Sequence, residues 1–190
     1  MSRKIDPAKR EAILQAARAL FKEKGVEDTT ISQIATGAGI ATGTVYLYFK
    51  SKTDIIDALC DVYLLETVDA LTPFLENPDI RTAIAGGVHA AFKHAAANAD
   101  LVRLLDLKRS MGLNSGWPKA DIIMQNTLKR WVQVLMKEER VFPYHPRILA
   151  ELVGGLIEWV TKICFVWSDV DTQRYESTIV DLLCNALIKR

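Results

Sequence analysis

The segment Thr29-Thr30-Ile31-Ser32-Gln33-Ile34-Ala35-Thr36-Gly37-Ala38-Gly39-Ile40-Ala41-Thr42-Gly43-Thr44-Val45-Tyr46-Leu47-Tyr48-Phe49-Lys50-Ser51-Lys52 constrains this chain more than any other. Apolar residues recur at helical steps over Ile31, Ile34 and Ala35, stop at Ala38-Gly39, and resume with Ile40, Val45 and Phe49. Gly39 permits a tight turn between two short helices, and the apolar set can fasten them together. Thr42, Thr44, Tyr46, Leu47 and Tyr48 are left on the outside. That is the build of a helix-turn-helix DNA reader. Hydroxyls and phenols suit phosphates or base edges, Leu47 or an aromatic ring can meet a thymine methyl, and Gly43 removes a side chain where backbone can approach DNA. Lys52 adds its charge to the N-terminus of the following helix, a favoured place for phosphate. Taken singly, the tyrosines read equally well as packing residues and Lys50 and Lys52 as a solvated helix end. It is the spacing of the whole set that favours DNA.

Charge supports this division. Residues 1–52 carry nine Lys or Arg against five acids, a balance of +4, while the remainder carries 15 against 18, or −3. A basic head on a mildly acidic body fits a polyanion partner held away from the rest, although chance imbalance on a solvated helical surface gives the same count.

Almost the whole chain reads as helix, without a convincing period-two run. Asp6-Pro7 is a cap and first residue for a helix that buries Ile13, Leu14, Ala17, Leu20 and Phe21 and stops at Gly25. A second helix starts after Thr29 or Thr30 and ends near Ala38, and a third spans about 41–49. Ser51 caps a fourth, with Asp54 as a short version of the capping-box acid, running towards breakers at Pro73 and Asn77-Pro78. Further helices are expected over 79–97, 101–110, 118–138, 146–168 and 172–189. The expected fold class is all-α: a helix-turn-helix DNA-binding domain over residues 1–52 and a helical effector-binding and dimerisation domain over 53–190.

Thr-Ile-Ser-Gln-Ile-Ala, Ala-Gly-Ile and Gly-Thr-Val-Tyr-Leu-Tyr-Phe-Lys-Ser-Lys, within residues 9–60, resemble the DNA-binding signature of the TetR family of bacterial and archaeal transcriptional regulators. The resemblance implies an all-helical homodimer with a three-helix DNA head and a body of about six helices that binds a small effector and dimerises through its last two helices. It also implies phosphate contacts from Thr30, Thr44, Tyr48 and Lys52, and base-facing positions for Thr42, Gly43, Tyr46 and Leu47. Two residues depart from the pattern. Ala41 stands where the family commonly has Ser, so a hydroxyl cap is missing, and Thr42 stands where a Lys or Arg is frequent. Direct guanine readout is therefore weakened, and more specificity falls to apolar contacts and DNA shape.

The body resembles nothing specific, but it contains all four tryptophans and every methionine except Met1. These large rings and adaptable thioethers either line an apolar cavity or fill the core. Candidate effector residues are His89, Phe92, Arg109, Met111, Trp117, Met124, Trp131 and Trp159. His89, Arg103 or Arg109 would give the cavity a basic end suited to an anionic head, such as that of a fatty acid or acyl thioester. Gly86-Gly87 and Gly154-Gly155 each cost a helix about 1 kcal/mol per glycine, which close packing, a kink or a cavity wall must offset. The 146–168 helix is apolar nearly all round in its second half and pairs with 172–189. Leu156, Val160, Ile163, Trp167, Ile179 and Leu183 are therefore the expected dimer interface, a four-helix arrangement about a two-fold axis.

Other function classes fit less well. The apolar run Gly154–Trp167 is interrupted by Glu158, Thr161 and Lys162, against a membrane span, and no apolar segment follows the basic N-terminus, against a secretory signal. A cytoplasmic location is expected. Cys60, Cys164 and Cys184 read as buried thiols. His89 and His94 lack the i, i+4 spacing of a metal pair, and there is no phosphate-binding glycine loop or nucleophile with its base, so neither metal, cofactor nor enzymatic activity is expected. The expected partners are a double-stranded, pseudo-palindromic DNA operator, an apolar or amphipathic small effector, and a second copy of the chain. A repressor released by its effector is the favoured reading. The alternatives are a helical small-molecule-binding or enzymatic protein retaining the head as a structural module, and an activator or architectural DNA binder without effector.

Overall fold

The computed structural model describes residues 6–110, 119–167 and 169–189. Among them the architecture is all-α, with one isolated bridge between Val141 and Ile188. The chain divides into two compact units, Met1–Cys60 and Asp61–Arg190.

In the first unit, α1 is Pro7–Lys24, capped by Asp6 and closed by Gly25 at φ 84. Its core residues are Ile13, Leu14 and Ala17, while Leu20 and Phe21 are only half-buried. α2 is Ile31–Gly37, opened by a full capping box in which Thr30 and Gln33 satisfy one another's backbone N–H groups. Gly39 turns the chain at φ 68, and the Ile40 N–H donates to the Ala35 carbonyl at 3.0 Å. α3 is a single turn, Thr42–Val45, shorter than the expected 41–49. The Leu47 and Tyr48 N–H groups then bond three residues back, to Thr44 and Val45 at 3.1 and 2.9 Å. Thr, Gly, Val and Tyr are poor helix formers, so the stretch tightens instead of extending.

α4 spans Lys52–Leu75 and keeps Pro73 in its last turn, where the sequence suggests a stop. There the missing proline N–H frees only the Asp69 carbonyl, close to a helix end whose carbonyls lack partners anyway. At its start the Asp54 carboxylate accepts from the Lys50 N–H at 2.8 Å and the Ser51 hydroxyl at 3.0 Å. The division between units falls within α4, where Ile55, Ile56, Leu59 and Cys60 are all buried.

The second unit holds α5 (Ile80–Ala97), α6 (Ala99–Ser110), α7 (Lys119–Lys137), α8 (Pro146–Lys162) and α9 (Thr172–Leu187). α8 continues into a π-helical turn, Ile163–Trp167, within the stretch expected as plain α-helix. α7 packs on α8 and α5 on α9 around Ile84, Val88, Phe92, Val132, Val153 and Leu183. Each glycine pair on α5 and α8 has one explained member. The Phe74 ring lies where a side chain on Gly86 would be, and Gly154 borders a cavity beside Gln125 and Leu128. No described helix is long and apolar enough to cross a membrane.

Candidate functional site

In the first unit, the buried side of α3 is held by Val45 and, just beyond it, Phe49. The Arg10 guanidinium lies 5.4 Å from the centre of the Phe49 ring. Fixed from behind, the short helix turns Tyr46 and Leu47 outward at 53% and 55% exposure. Gly43 is exposed, with nothing within 4 Å of where its side chain would be, and Thr42 and Thr44 are half-buried beside it. Ala41 occupies the cap position of α3 without a side-chain bond. The face is therefore polar, apolar and uncharged, which suits groove contacts more than phosphate attraction.

Thr30, Tyr48 and Lys52, three of the four residues implied as phosphate contacts, differ in what they have left to give. Thr30 is exposed, but its hydroxyl donates to Gln33 Oε1 at 3.2 Å. Tyr48 Oη accepts from the Asp6 N–H at 3.1 Å, which leaves the phenolic proton to donate outward. Lys52 is committed elsewhere. Its ammonium donates to the carbonyls of Val26 at 2.5 Å, Thr29 at 2.9 Å and Glu27 at 3.3 Å. All three protons serve the turn between α1 and α2. Hydrogen bonds to a charged group contribute about 1.5–3 kcal/mol each, so moving Lys52 to a phosphate would abandon more than one contact could return. In the free chain its position builds the head.

The second unit contains a cavity of about 80 Å³, partly open to solvent. Leu64, Leu71, Ala91, Val102, Leu105 and Leu128 supply apolar walls; Tyr63, Thr67, Gln125, Glu158, Thr161 and Lys162 supply polar atoms. Apolar walls with a few polar groups are the lining of a small-molecule site, in a space that a drug-sized ligand has to widen. Lys162 is buried, 3.0 Å from Glu158 and 3.2 Å from Asp106, and Arg109 also pairs with Glu158. The Trp167 indole donates to Asp106 at 3.1 Å. Burial pushes the Tyr63 phenol up to about 12, and its ring stacks on His94 at 5.0 Å.

The expected effector residues scatter. Met124 lines the cavity, Arg109 reaches its wall through Glu158, and Trp131 borders an adjoining apolar pocket. Phe92 is core, edge-on to Phe165 at 6.1 Å. His89 lies outside, 2.8 Å from Glu176, and Trp159 is 53% exposed. Met111 and Trp117 lie outside the described residues. A free basic end for an anionic head is absent from the described wall, because Lys162 and Arg109 already face carboxylates.

Three of the six residues expected at a dimer interface, Val160, Ile179 and Leu183, belong to this chain's own core, with Leu156 and Ile163 half-buried and Trp167 exposed. The outward stripe of α8 is instead Ile148, Leu152, Gly155 and Trp159, at steps of four, three and four. Trp159 and Trp167 meet edge to face at 4.9 Å. Cys60, Cys164 and Cys184 are all buried, and burial raises the Cys164 and Cys184 thiols above their usual value, which keeps them protonated and unreactive.

Residues 13–59 match the family of bacterial regulatory proteins described as the tetR family. The chain is 40% identical to the HTH-type transcriptional repressor KstR2 of Mycobacterium tuberculosis, over 84% of this chain and 81% of that protein. It is 29% identical to the HTH-type transcriptional regulator YvdT of Bacillus subtilis, over 78% and 95% of the two chains. The fatty acid degradation regulator FadR of Bacillus halodurans shares the fold, with a TM-score of 0.75 at 24% identity over 95% of this chain and 96% of that one.

Proposed function

Because the chain belongs to the TetR family of bacterial regulatory proteins, we propose that it is a transcriptional repressor that binds a pseudo-palindromic operator as a homodimer and is released by a small, mostly apolar effector. The chain is a transcriptional regulator, of a family whose members are regulators and not enzymes. The repressor role is supported by the relatives named KstR2. A cytoplasmic location belongs to the same proposal, since the operator is there.

The observation that carries the reading is the outward pair Tyr46 and Leu47 in the turn that follows the one-turn helix α3, whose buried side is fixed by Val45 and Phe49. Large exposed apolar side chains at the tip of a rigid turn have a partner in the major groove, where a ring or branched chain meets a thymine methyl and a phenol meets a base edge. Thr30, Thr42, Gly43, Thr44 and Tyr48 flank them, with Tyr48 keeping a proton for phosphate.

The partner copy is supported by Ile148, Leu152, Trp159 and Trp167 on α8 and its π turn, with Leu182 on α9, each 47% exposed or more. An apolar stripe of this kind is covered by a second molecule in stable proteins, and two-fold pairing presents the same face from both copies. Effector release is supported by the cavity. α4 carries Ile55 and Leu59 in the head core and Tyr63, Thr67 and Leu71 in the cavity wall. A ligand that favours one placement of α4 thereby shifts the dimer between DNA-competent and incompetent states, with a coupling commonly about 1–3 kcal/mol.

Selection of genomic fragments by the purified full-length protein tests this. The expected outcome is enrichment of a two-fold-symmetric site with half-sites one helical turn, or a multiple of it, apart. Enrichment of no sequence, or of one without symmetry, contradicts it.

A further inference from the structure

Building on the sensor reading, we infer that the cavity selects an uncharged, mostly apolar ligand carrying a hydroxyl group, and that the Gln125 side-chain carbonyl accepts the hydroxyl proton.

The charges at the wall set the first condition. Lys162 and Arg109 face Glu158 and Asp106, two cations against two carboxylates. An anionic ligand would meet Glu158 and compete with it for Lys162, while a cation would meet Lys162 and Arg109 and compete for the carboxylates. Either sign competes with a network that already pairs both cations, and the buried Lys162 is the member that is costly to leave unpaired. The apolar walls then favour a neutral body.

Gln125 sets the second condition. Its Oε1 is buried without a hydrogen-bond partner in the protein, on the wall of the cavity. An orphaned acceptor of this kind is costly until a donor reaches it. The neighbouring hydroxyls do not serve it, since Thr161 donates to the Glu158 carbonyl and Thr67 to the Tyr63 carbonyl, both at 2.8 Å. An acceptor in this place suits a neutral donor, and an alcohol supplies one.

The position of Gln125 also orients the ligand. Gln125 and Glu158 border a more open cleft formed with Ile122, Asn126, Lys129 and Arg147, so they stand between the inner cavity and that cleft. The hydroxyl end lies at Gln125 on the cavity side, short of Lys129 and Arg147, and the apolar body extends towards Leu71, Ala91 and Val102.

The test is displacement of the neutral dye Nile red from the full-length protein by decanol, methyl decyl ether and decanoate. Decanol is expected to compete about tenfold better than the ether, the scale of one buried hydrogen bond, and better than decanoate. In Gln125→Leu, checked for retained helicity and dye binding, decanol and the ether are expected to converge. Equal competition by decanol and ether in the unaltered protein, or stronger competition by decanoate, overturns the inference while leaving the cavity as an effector site. If dye binds and none of the three displaces it, the sensor reading itself fails, and the inference with it.

Discussion

The Lys52 ammonium donates to the Thr29 carbonyl at 2.9 Å, and through its other protons to Val26 and Glu27, so a residue positioned like a phosphate anchor is a clasp on the turn that leads into α2. Lys52→Ala is expected to destabilise the head by about 2–3 kcal/mol, since charged hydrogen bonds to three carbonyls are lost together. The salt dependence of DNA binding should stay the same, measured at a temperature where the variant remains folded. A slope reduced by about 1 would show that Lys52 neutralises a phosphate.

Gly43 and Gly86 should respond in opposite ways to alanine. At Gly43 a side chain meets nothing within 4 Å, so Gly43→Ala stabilises the isolated protein by up to about 1 kcal/mol through helix propensity. The same change should weaken operator binding if backbone approaches DNA there, giving opposite signs in thermal melting and affinity. At Gly86 the added carbon meets the Phe74 ring, and displacing that ring costs about 1–3 kcal/mol.

Two kinds of substitution separate the chain's own core from its outward stripe. Leu152 is 65% exposed, so Leu152→Arg should leave the monomer's stability nearly unchanged and shift sedimentation from dimer to monomer. Leu183 is 5% exposed, so Leu183→Ala should lower stability by about 2–5 kcal/mol. A Leu152→Arg protein that still sediments as a dimer would place the interface elsewhere.

Tyr63 makes stability depend on alkaline pH. Burial raises its phenol from 10.0 to about 12, so folded and unfolded chains both keep the proton below pH 10. Between pH 10 and about 12 the unfolded chain releases it while the folded chain holds it, and this contribution is lost as pH rises through that window, at about 1.4 kcal/mol per unit. Tyr63→Phe should lack that part of the slope when urea midpoints are compared across the same pH range. Parallel slopes would contradict the buried phenol.

The helices were largely legible because caps and apolar periodicity agree locally: Asp6-Pro7, Gly25, Ser51 with Asp54, and Asp79 ahead of Ile80 all mark helix boundaries. Thr30 and Gln33 carried a capping-box spacing as well, although that spacing also fits an ordinary exposed pair. Lys52 was not legible as a clasp, because Val26, Glu27 and Thr29 come to it only through the fold, from 23 to 26 residues away. An all-round apolar helix such as α8 gives no local cue to its inward side, so Val160 and Trp159 could not be sorted between core and surface before α7 was in place. The cavity left a clearer trace. Glu158, Thr161 and Lys162 stand out as polar interruptions of an apolar run, and they form part of its polar wall. Gln125 had no such mark, since a glutamine beside Asn126 on a mixed helix reads as surface.

Base readout by Tyr46 and Leu47 is tested by the affinity of the unaltered protein and Tyr46→Ala for the selected operator and a panel of its single base-pair variants, over a range of salt. The expected result is loss of discrimination worth about 1–3 kcal/mol at one or two base pairs per half-site, with the salt slope unchanged. Uniform weakening across the panel, or no change at all, would contradict it.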